Sequence, residues 1–247
     1  MNLDNAVAIV TGAGQNIGLG IAQALAAKGC RVVALDLDEG KLAALDQTVF
    51  HCIACDAADP AQVAKAVDAV VEKFGRIDIL VNTAGWIFSA PLYNMLDRNS
   101  PRHDMAMWDK TLRANLTTAF VMSSHVVEKM ARARTKGVIV NISSVAANGN
   151  AGQSAYSAAK AGVNALTVTW AKELGALGIR VVAIAPGFID TPSTHAAMSE
   201  DRLKEWIAKI PLRKLGLIEH VAQAVVSVAE NDYLTGTVIE VDGGLKL

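Results

Sequence analysis

Short apolar runs alternate with helix-like segments along the whole chain. The apolar runs have the residue types of buried strands and lie at 6–10, 31–35, 49–54, 77–81, 138–142, 181–184 and 238–241. The segments between them are rich in Ala, Leu, Lys or Glu, and those typical of helices lie at 17–28, 60–74, 108–132, 154–177 and 218–230. A helix between two strands lets the strands pair in parallel, and such crossovers are right-handed. The sequence therefore predicts an α/β fold with a doubly wound parallel sheet of about seven strands and helices on both faces.

We expect the 247 residues to form a single domain, 1–247, because neither a Pro/Ser-rich linker nor an internal repeat divides them. A content of 52% hydrophobic but only 5% aromatic residues is typical of a parallel sheet that is covered on both sides. Two stretches interrupt the alternation: a loop at 86–107, and a segment at 187–212 with short helix-like pieces, one of them at 202–210. Long loops at one end of a parallel sheet usually cover a ligand, so we expect both over the active site, the second as a lid.

The distribution of charged and polar residues argues against nucleic acid and against a membrane as partners. The 23 Lys and Arg residues are balanced by 24 Asp and Glu residues, which leaves no excess of positive charge for nucleic acid. The uncharged stretch 5–27 has the length of a membrane span, but Thr11, Gln15, Asn16 and four glycines interrupt it and no basic segment precedes it. We therefore expect neither a nucleic-acid partner nor a membrane partner.

The cysteines are the odd and sparse set that is typical of reduced thiols in the cytoplasm: Cys30, Cys52 and Cys55. Cys52 and Cys55 form a C-x-x-C pair, but a zinc site needs a second pair of ligands. The pair belongs instead to the apolar run at 49–54, which predicts a strand. We predict no metal site and a cytoplasmic location.

A glycine-rich turn, TGAGQNIG at 11–18, joins the first predicted strand to the first predicted helix. Glycines permit a tight turn and close approach of the backbone to a pyrophosphate, and the helix N-terminus supplies free N–H groups and partial positive charge. The position of the turn at the first strand–helix junction predicts a Rossmann-like dinucleotide-binding loop. The residues expected to contact the cofactor there are Gly12, Gln15, Asn16, Ile17 and Gly18.

Asp36 follows the second apolar run, where a carboxylate can accept hydrogen bonds from the ribose hydroxyls of adenosine. The same carboxylate would repel a 2′-phosphate, and neither residues 13–16 nor Leu37 supply an Arg or Lys to offset that repulsion. The sequence thus favours NAD over NADP, with Asp36 and Leu37 at the ribose. The alternative is that Asp36 is a solvated acid in the acidic run at 36–39.

Tyr156 and Lys160 are four residues apart, so they share one face of the helix predicted at 154–177. A free phenol has a pKa of about 10. A cation about 4 Å away stabilises the phenolate by on the order of 4 kcal/mol at an effective dielectric constant of about 20. Lys160 could therefore prepare Tyr156 to exchange protons near neutral pH. Ser143 and Ser144 follow the strand predicted at 138–142 and offer a hydroxyl to a substrate oxygen.

Together these motifs resemble those of the short-chain dehydrogenases/reductases of ordinary length. The resemblance spans essentially the whole chain and rests on the 11–18 loop, Asp56, NTAG at 82–85, Asn115, Ser144, Tyr156, Lys160, Pro186, Gly187, Thr191 and VDGG at 241–244. It implies an oxidoreductase that acts on CH–OH donors with a nicotinamide acceptor. The reaction we expect is NAD(H)-dependent interconversion of a secondary alcohol and a ketone.

The resemblance also implies roles for the matching residues. Tyr156 would be the general acid/base, Ser144 would orient the substrate oxygen, and Lys160 would lower the pKa of Tyr156 and hold the nicotinamide ribose. Asn115 would kink its helix and hold a water that links Lys160 to solvent. Further cofactor contacts are implied for Asp56 and Ala57 at the adenine, for Asn82, Ala84 and Gly85 on the adenosine side and at the central helix, and for Pro186, Gly187, Ile189 and Thr191 at the nicotinamide.

Three features depart from the family pattern. Asn16 stands where the middle glycine of the loop is usual, and Thr83 replaces a common second Asn. The interval from Ser144 to Tyr156 is one residue shorter than expected, which leaves Ser143 as a rival for the role of Ser144. The residues after Ser144 continue the family pattern and favour Ser144.

Two alternatives to a secondary alcohol dehydrogenase stay open. One is a 3-oxoacyl-[acyl-carrier-protein] reductase or an acyl-CoA-type 3-hydroxyacyl dehydrogenase, for which the basic segment 132–136 could face an acidic carrier or form only a solvated turn. Those reductases typically use NADPH, whereas Asp36 and an apolar lid fit an NAD-linked alcohol. The lid residues in question are Phe188, Ile189 and Met198. The other alternative is a non-catalytic regulator that senses NAD, against which the catalytic residue set argues.

The family resemblance also bears on assembly. It implies a homotetramer, or else a dimer, built on the helices at 108–132 and 154–177. His103 and His195 lie in the two long loops, where they either contact substrate or have no chemical role.

Overall fold

All seven strands of the protein form one parallel sheet in the order β3-β2-β1-β4-β5-β6-β7. The architecture comes from a computed structural model that describes residues 1–197 and 199–247. The strands are β1 (Val7–Thr11), β2 (Arg31–Asp36), β3 (Phe50–Ala54), β4 (Ile79–Asn82), β5 (Val138–Ile142), β6 (Arg180–Pro186) and β7 (Val238–Val241). The order reverses between β1 and β4, which confirms the predicted doubly wound α/β sheet.

Helices cover both faces of this sheet. In chain order they are α1 (Asn16–Ala27), α2 (Glu39–Ala43), α3 (Pro60–Phe74), α4 (Met105–Leu112), α5 (Thr118–Arg132), α6 (Ser154–Leu174), α7 (Pro192–Ala197), α8 (Glu200–Lys209) and α9 (Ile218–Glu230). One core lies between the sheet and α1 and α9, and the other lies between the sheet and α3 and α5. Successive residues of β1 alternate between the two cores, which is why its sequence is apolar without a break.

The predicted strands and most of the predicted helices agree with the structure to within two residues at nearly every end. At α3 the local signals are explicit: the Asp59 carboxylate accepts from the N–H groups of Ala61 and Gln62, and Pro60 occupies the first turn. Gly75 then ends the helix with a left-handed backbone at φ 76°. Cys52 lies on β3, as predicted for the C-x-x-C pair.

Three local predictions need correction. The five-residue helix α2 was not expected, because so short an element has too few turns to show helical periodicity. The helix predicted at 108–132 starts earlier, at Met105, and a π-helical turn at Arg113–Thr117 divides it into α4 and α5. In the lid, the predicted short helical pieces are present as α7 and α8, and α8 starts two residues before and ends one residue before the helix predicted at 202–210. The lid residue Met198 lies outside the described residues.

Within the described ranges, no helix is both long enough and apolar enough to cross a membrane.

Candidate active site

The 11–18 loop packs directly against the loop that follows β4. The hydroxyl of Thr11 accepts hydrogen bonds from the N–H groups of Thr83 and Ala84, both at 3.0 Å. Gly12 has φ +63°, and a β-carbon there would lie 3.0 Å from the Cα of Ala84. A β-carbon at Gly18 would overlap the carbonyl oxygen of Gly12. The loop is thus a side-chain-free cradle at the N-terminus of α1, which fits a dinucleotide pyrophosphate.

The remaining predicted loop residues take three different positions. Gln15 has an extended backbone and precedes the first turn of α1, and Ile17 packs partly against the core. Asn16 adopts a left-handed backbone with φ +48°, which asparagine tolerates better than most residues. Its side-chain amide contacts the hydroxyl of Ser193 on α7 at 3.4 Å. Asn16 therefore connects the phosphate loop to the lid, a contact that a glycine could not make.

Asp36 lies at the end of β2, beside the glycine loop. Its carboxylate accepts the N–H of Gly14 at 2.9 Å and the N–H of Asp38 at 3.0 Å. Leu37, the next residue, is 72% exposed. The stem of Lys41 also reaches this corner, since a β-carbon on Gly14 would lie 2.8 Å from the Cβ of Lys41. The ammonium group of Lys41 pairs with Asp38 at 3.2 Å and not with Asp36.

Asp56 follows β3 and forms an ion pair with Arg113 of the π-helical turn at 2.7 Å. Its other carboxylate oxygen accepts the N–H of Ala58 at 2.9 Å, while Ala57 is buried beside it. This pair joins the predicted adenine side of the site to the element that carries Asn115. Sequence reasoning missed Arg113, because its partner is far away along the chain.

The resemblance implies that the segment at 82–85 lies at the central helix as well as on the adenosine side, and the side chain of Asn82 contacts that helix. The side-chain amide donates to Asn141 on β5 at 2.8 Å and to Ser123 on α5 at 3.0 Å, so it holds the sheet to the central helix. Ala84 and Gly85 come closer to the predicted site. A β-carbon on Gly85 would lie 2.6 Å from the Oδ1 of Asn115 and 3.7 Å from the Nζ of Lys160.

The structure brings the four predicted catalytic residues to one end of α6. Tyr156 and Lys160 are both buried, and the Lys160 Nζ lies 5.7 Å from the centre of the Tyr156 ring. Lys160 also donates to the carbonyl of Ile142, at the end of β5, at 2.8 Å. Ser144 hydrogen-bonds to Tyr156, whereas Ser143 contacts the backbone carbonyl of Lys160 at 3.3 Å. Of the two rival serines, Ser144 is therefore the one beside the phenol.

Burial dominates the titration of both groups. It raises the pKa of Tyr156 to about 12, and the hydrogen bond with Ser144 only partly offsets this effect. Burial also lowers the pKa of Lys160 to about 8. The expected lowering of the Tyr156 pKa by Lys160 is thus not seen, because desolvation of the phenolate outweighs the hydrogen bond with Ser144. Tyr156 is protonated at neutral pH, which is the form that can donate a proton.

Asn115 lies in the π-helical turn and is almost completely buried. Its side-chain amide donates to the carbonyls of Trp86 at 2.6 Å and Thr111 at 2.9 Å. Its Oδ1 accepts the N–H of Trp86 at 3.3 Å. The extra residue in this turn aims the Asn115 side chain across to the β4 loop, which is the break in the helix that the resemblance implied.

The predicted nicotinamide residues follow β6. Pro186 ends the strand, and a β-carbon on Gly187 would lie 2.8 Å from the Cα of Asp242, so only glycine fits there. Ile189 is buried in the core. The Thr191 hydroxyl pairs with that of Thr194 at 3.0 Å, and this pair closes the first turn of the lid.

The two loop histidines are both engaged by other residues. His195 pairs with Asp190 at 2.7 Å on an exposed part of the lid. His103 packs edge-on against Phe88 and Trp108, with ring centres 5.9 and 6.5 Å away. These contacts indicate structural roles for both histidines within their loops.

Thr11 and Lys41 are further residues at the site that the sequence reasoning did not single out. A hydroxyl residue between a strand and a glycine loop is a visible signal for Thr11. Lys41 gives no such signal, because α2 had to be recognised before its side chain could be placed beside Gly14.

Comparison with known proteins shows similarity over the whole chain. A family model described as enoyl-(acyl carrier protein) reductase matches residues 12–246. The 3-oxoacyl-[acyl-carrier-protein] reductase FabG of Thermotoga maritima is 39% identical, and the similarity covers 100% of both chains. The protein of the same name from Escherichia coli is 33% identical over 100% of both chains.

A relative with a different name is equally similar. The short-chain reductase protein NovJ of Streptomyces niveus is 39% identical over 96% of this chain and 93% of its own length. Among solved structures, one described as the crystal structure of gox2181 has 35% sequence identity and a TM-score of 0.89, and the match covers 98% of this chain and 95% of that one.

Proposed function

The chain belongs to the short-chain dehydrogenase/reductase family of oxidoreductases that act on hydroxyl or keto groups with a nicotinamide cofactor, and we propose that it interconverts a secondary alcohol and a ketone with NAD(H). The observation that carries the proposal is the convergence of Tyr156, Lys160, Ser144 and Asn115 beside the glycine loop. A structural or regulatory role alone would not require a buried lysine next to a buried phenol.

The cofactor proposal depends on the corner formed by the glycine loop and Asp36. When bound, a nicotinamide cofactor supplies the acceptor or donor for the hydride of the alcohol carbon. Gly12 and Gly18 leave room for the pyrophosphate, and Asp36 would accept hydrogen bonds from the adenosine ribose. Lys41 is the cation nearest this corner, but its pairing with Asp38 supports a preference for NAD over NADP.

The acid/base proposal follows from the protonation of the two buried groups. In ketone reduction, the Tyr156 hydroxyl donates its proton to the ketone oxygen while Ser144 orients that oxygen. The proton would be replaced through Lys160 and a water held by Asn115. In alcohol oxidation the proton moves in the opposite direction, and Tyr156 acts as the base.

A single substitution tests the acid/base role. We expect Tyr156→Phe to abolish turnover in a dehydrogenase assay, since the phenylalanine ring fills the same space without a proton to transfer. Binding of NADH, measured by calorimetry, should stay within about threefold of the wild type, or about 0.7 kcal/mol. Turnover near the wild-type rate would refute the assignment. A wild-type enzyme that binds nucleotide but oxidises no alcohol would favour the NAD-sensing regulator.

A second candidate is a 3-oxoacyl-[acyl-carrier-protein] reductase, which the names of several relatives favour. The basic residues at the end of α5 are only partly available to an acidic carrier, because Arg132 pairs with Glu128 at 2.7 Å and Lys129 with Asp68 at 2.5 Å. Arg134 and Lys136 are both exposed. If a carrier binds there, a 3-oxoacyl group on carrier protein should be a better substrate than the same group on a short thiol, and Arg134→Glu should remove the difference. Equal rates for both thioesters would exclude the carrier.

The proposal extends to the domain organisation, the oligomeric state and the location of the protein. We propose that residues 1–247 work as one domain whose loop at 86–107 and lid at 187–212 cover the substrate.

The outer faces of α5 and α6 carry exposed apolar residues, Phe120 and Val168, which supports a homotetramer built on these helices. A cytoplasmic location remains our proposal, and the three thiols are free.

A further inference from the structure

The segment at 86–89 follows Gly85, where a β-carbon would lie 3.7 Å from the Lys160 Nζ, and hydrogen bonds hold the segment at both ends. At its start, Asn115 binds both the N–H and the carbonyl of Trp86. At its end, the side-chain amide of Gln153 donates to the Ser89 hydroxyl at 3.2 Å, and Ala90 pairs with Gln153 in a short bridge. Gln153 lies just before α6, close in sequence to Tyr156. The segment is therefore fixed between Asn115 and Gln153.

Two aromatic side chains of this segment lie side by side. Trp86 and Phe88 are two residues apart and their rings are in contact, while Ile87 between them is exposed. The Trp86 and Phe88 rings stack with centres 5.7 Å apart and planes inclined by 17°. Both residues are only half-buried, so part of each ring remains accessible.

Neighbouring residues hold this pair rigidly. His103 packs edge-on against Phe88, and Trp108 of α4 packs edge-on against His103. The Lys110 ammonium lies 4.3 Å from the centre of the Trp86 ring, a cation–π contact that fixes the indole from α4. The result is a preformed aromatic surface on a segment that Asn115 and Gln153 anchor to the catalytic elements, in a chain that is only 5% aromatic.

We propose that this surface makes the enzyme selective for a carbonyl group that bears an aryl substituent. The proposal rests on the function proposed above. Tyr156 and Ser144 hold the oxygen of the carbonyl, and Trp86 and Phe88 receive the flat ring attached to its carbon. Aromatic pairs contribute beyond the area that they bury, because ring edges and faces carry opposite partial charges. A saturated ring of the same size gains only from burial.

The test compares methyl phenyl ketone with methyl cyclohexyl ketone, which have the same number of carbon atoms but differ in ring flatness and aromaticity. We expect the wild-type enzyme to bind the phenyl ketone about three- to tenfold more tightly in calorimetry with NAD present. The ratio of kcat/KM values should favour it by a similar factor. Phe88→Leu and Trp86→Leu should each bring both ratios close to one, while the conservative Trp86→Phe should keep most of the preference.

Phe74→Leu is the matched control, because Phe74 ends α3 and contacts His51 and Arg31 away from the site. It should leave the preference unchanged, and thermal unfolding should show that each loop variant is folded. Turnover of both ketones with equal kcat/KM and equal affinity would overturn the aryl proposal and leave the proposed function standing. Preferential binding of the phenyl ketone without turnover of either ketone would support the aromatic surface and overturn the proposed reaction.

Discussion

Tyr156 and Lys160 show how one buried pair affects both chemistry and stability. Burial keeps the phenol protonated and makes the ammonium group easier to deprotonate, so the two groups shift in opposite directions from their ordinary pKa values. The folded protein bears the free-energy cost of burying both groups. Removal of the lysine should therefore alter stability in a pH-dependent way.

We expect Lys160→Met to abolish the rise in the free energy of unfolding that the buried lysine causes between pH 8 and 10. The pKa of Lys160 is about 8 in the folded chain and 10.5 for the ordinary group, so within this window the unfolded chain holds a proton that the folded chain lacks. The contribution of Lys160 to the free energy of unfolding, measured as the wild type minus Lys160→Met, therefore rises with pH from 8 towards 10 by about 2 to 3 kcal/mol. The raised pKa values of Cys30 and Cys55, each about 11, lower the stability of both proteins above pH 9 and cancel in this difference. Above pH 10 the raised pKa of Tyr156 acts in the opposite direction, because the folded chain then holds the extra proton.

Urea unfolding at several pH values between 7 and 10 measures this effect. The exposed Lys172 lies on the same helix, and Lys172→Met should retain the rise. If the free energies of unfolding of the wild type and Lys160→Met change in parallel with pH, the lysine keeps its ordinary pKa in the folded protein.

The proposed preference for NAD over NADP rests on Asp36. Asp36→Asn keeps an oxygen that can accept a hydrogen bond from Gly14 but removes the charge that would repel a 2′-phosphate. We expect the ratio of kcat/KM for NAD to that for NADP to fall by about tenfold or more, since removing a close like-charge contact is worth at least 1.4 kcal/mol. Asp46→Asn removes an exposed charge from the β2–β3 connection and should leave the ratio unchanged. An unaltered ratio in Asp36→Asn would remove the basis for the NAD preference.

At the scale of elements, the π-helical turn is the feature that joins the helix α4–α5 to the site. Asn115→Ala would leave the carbonyls of Trp86 and Thr111 without their side-chain donor, and the segment at 86–89 would lose its first anchor. We expect kcat to fall by at least about tenfold, because three hydrogen bonds of about 1 kcal/mol each are lost at the site. Stopped-flow turnover with saturating substrate measures this change.

Thr118→Val provides the matched control for the same helix. It removes the hydrogen bond from Thr118 to the carbonyl of Ala114, which does not reach the site. Its kcat should stay near that of the wild type. If both variants lose the same activity, the turn serves helix stability and not the positioning of Asn115.

The elements were predictable from sequence where a local pattern decides them. Strands buried on both faces are apolar without a break, and Asp59, Pro60 and Gly75 mark both ends of α3. The π-helical turn was not predictable in the same way, because it depends on contacts between Asn115 and Trp86, which are distant in sequence. The direction of the Asn82 side chain likewise depends on a partner on another strand.

The residues of the site were more predictable than their environment. Motif spacing was enough to pair Tyr156 with Lys160, whereas the interval to Tyr156 left Ser143 as a rival of Ser144. The net effect on the Tyr156 pKa was not predictable, because the cost of burial depends on everything that packs around the phenol. A pairwise estimate from the distance to Lys160 omits that cost.

At the scale of the whole molecule, the proposed assembly depends on the exposed faces of α5 and α6. Phe120 is 52% exposed and lies against Trp170 of α6, with ring centres 6.2 Å apart. If these helices pair between subunits, Phe120→Glu buries a charge at the contact and should convert the tetramer to smaller species, because an unpaired buried charge is costly. Sedimentation equilibrium gives the mass of each species.

Tyr233→Glu is the matched control, because Tyr233 is an almost fully exposed aromatic residue in the turn after α9. It should leave the mass of the assembly unchanged. A monomeric wild type would contradict the proposed assembly directly.

The place of β1 in the middle of the sheet has a consequence for how the protein is made. One edge of β1 pairs with β2, which follows closely, but the other pairs with β4 in a register that sets Ala8 opposite Ile79. On the ribosome, this second apolar edge stays open until β4 has been synthesised, and unpaired edges favour aggregation. Slow translation through the first third of the message should therefore lower the yield of native enzyme, and chaperones in excess should restore it.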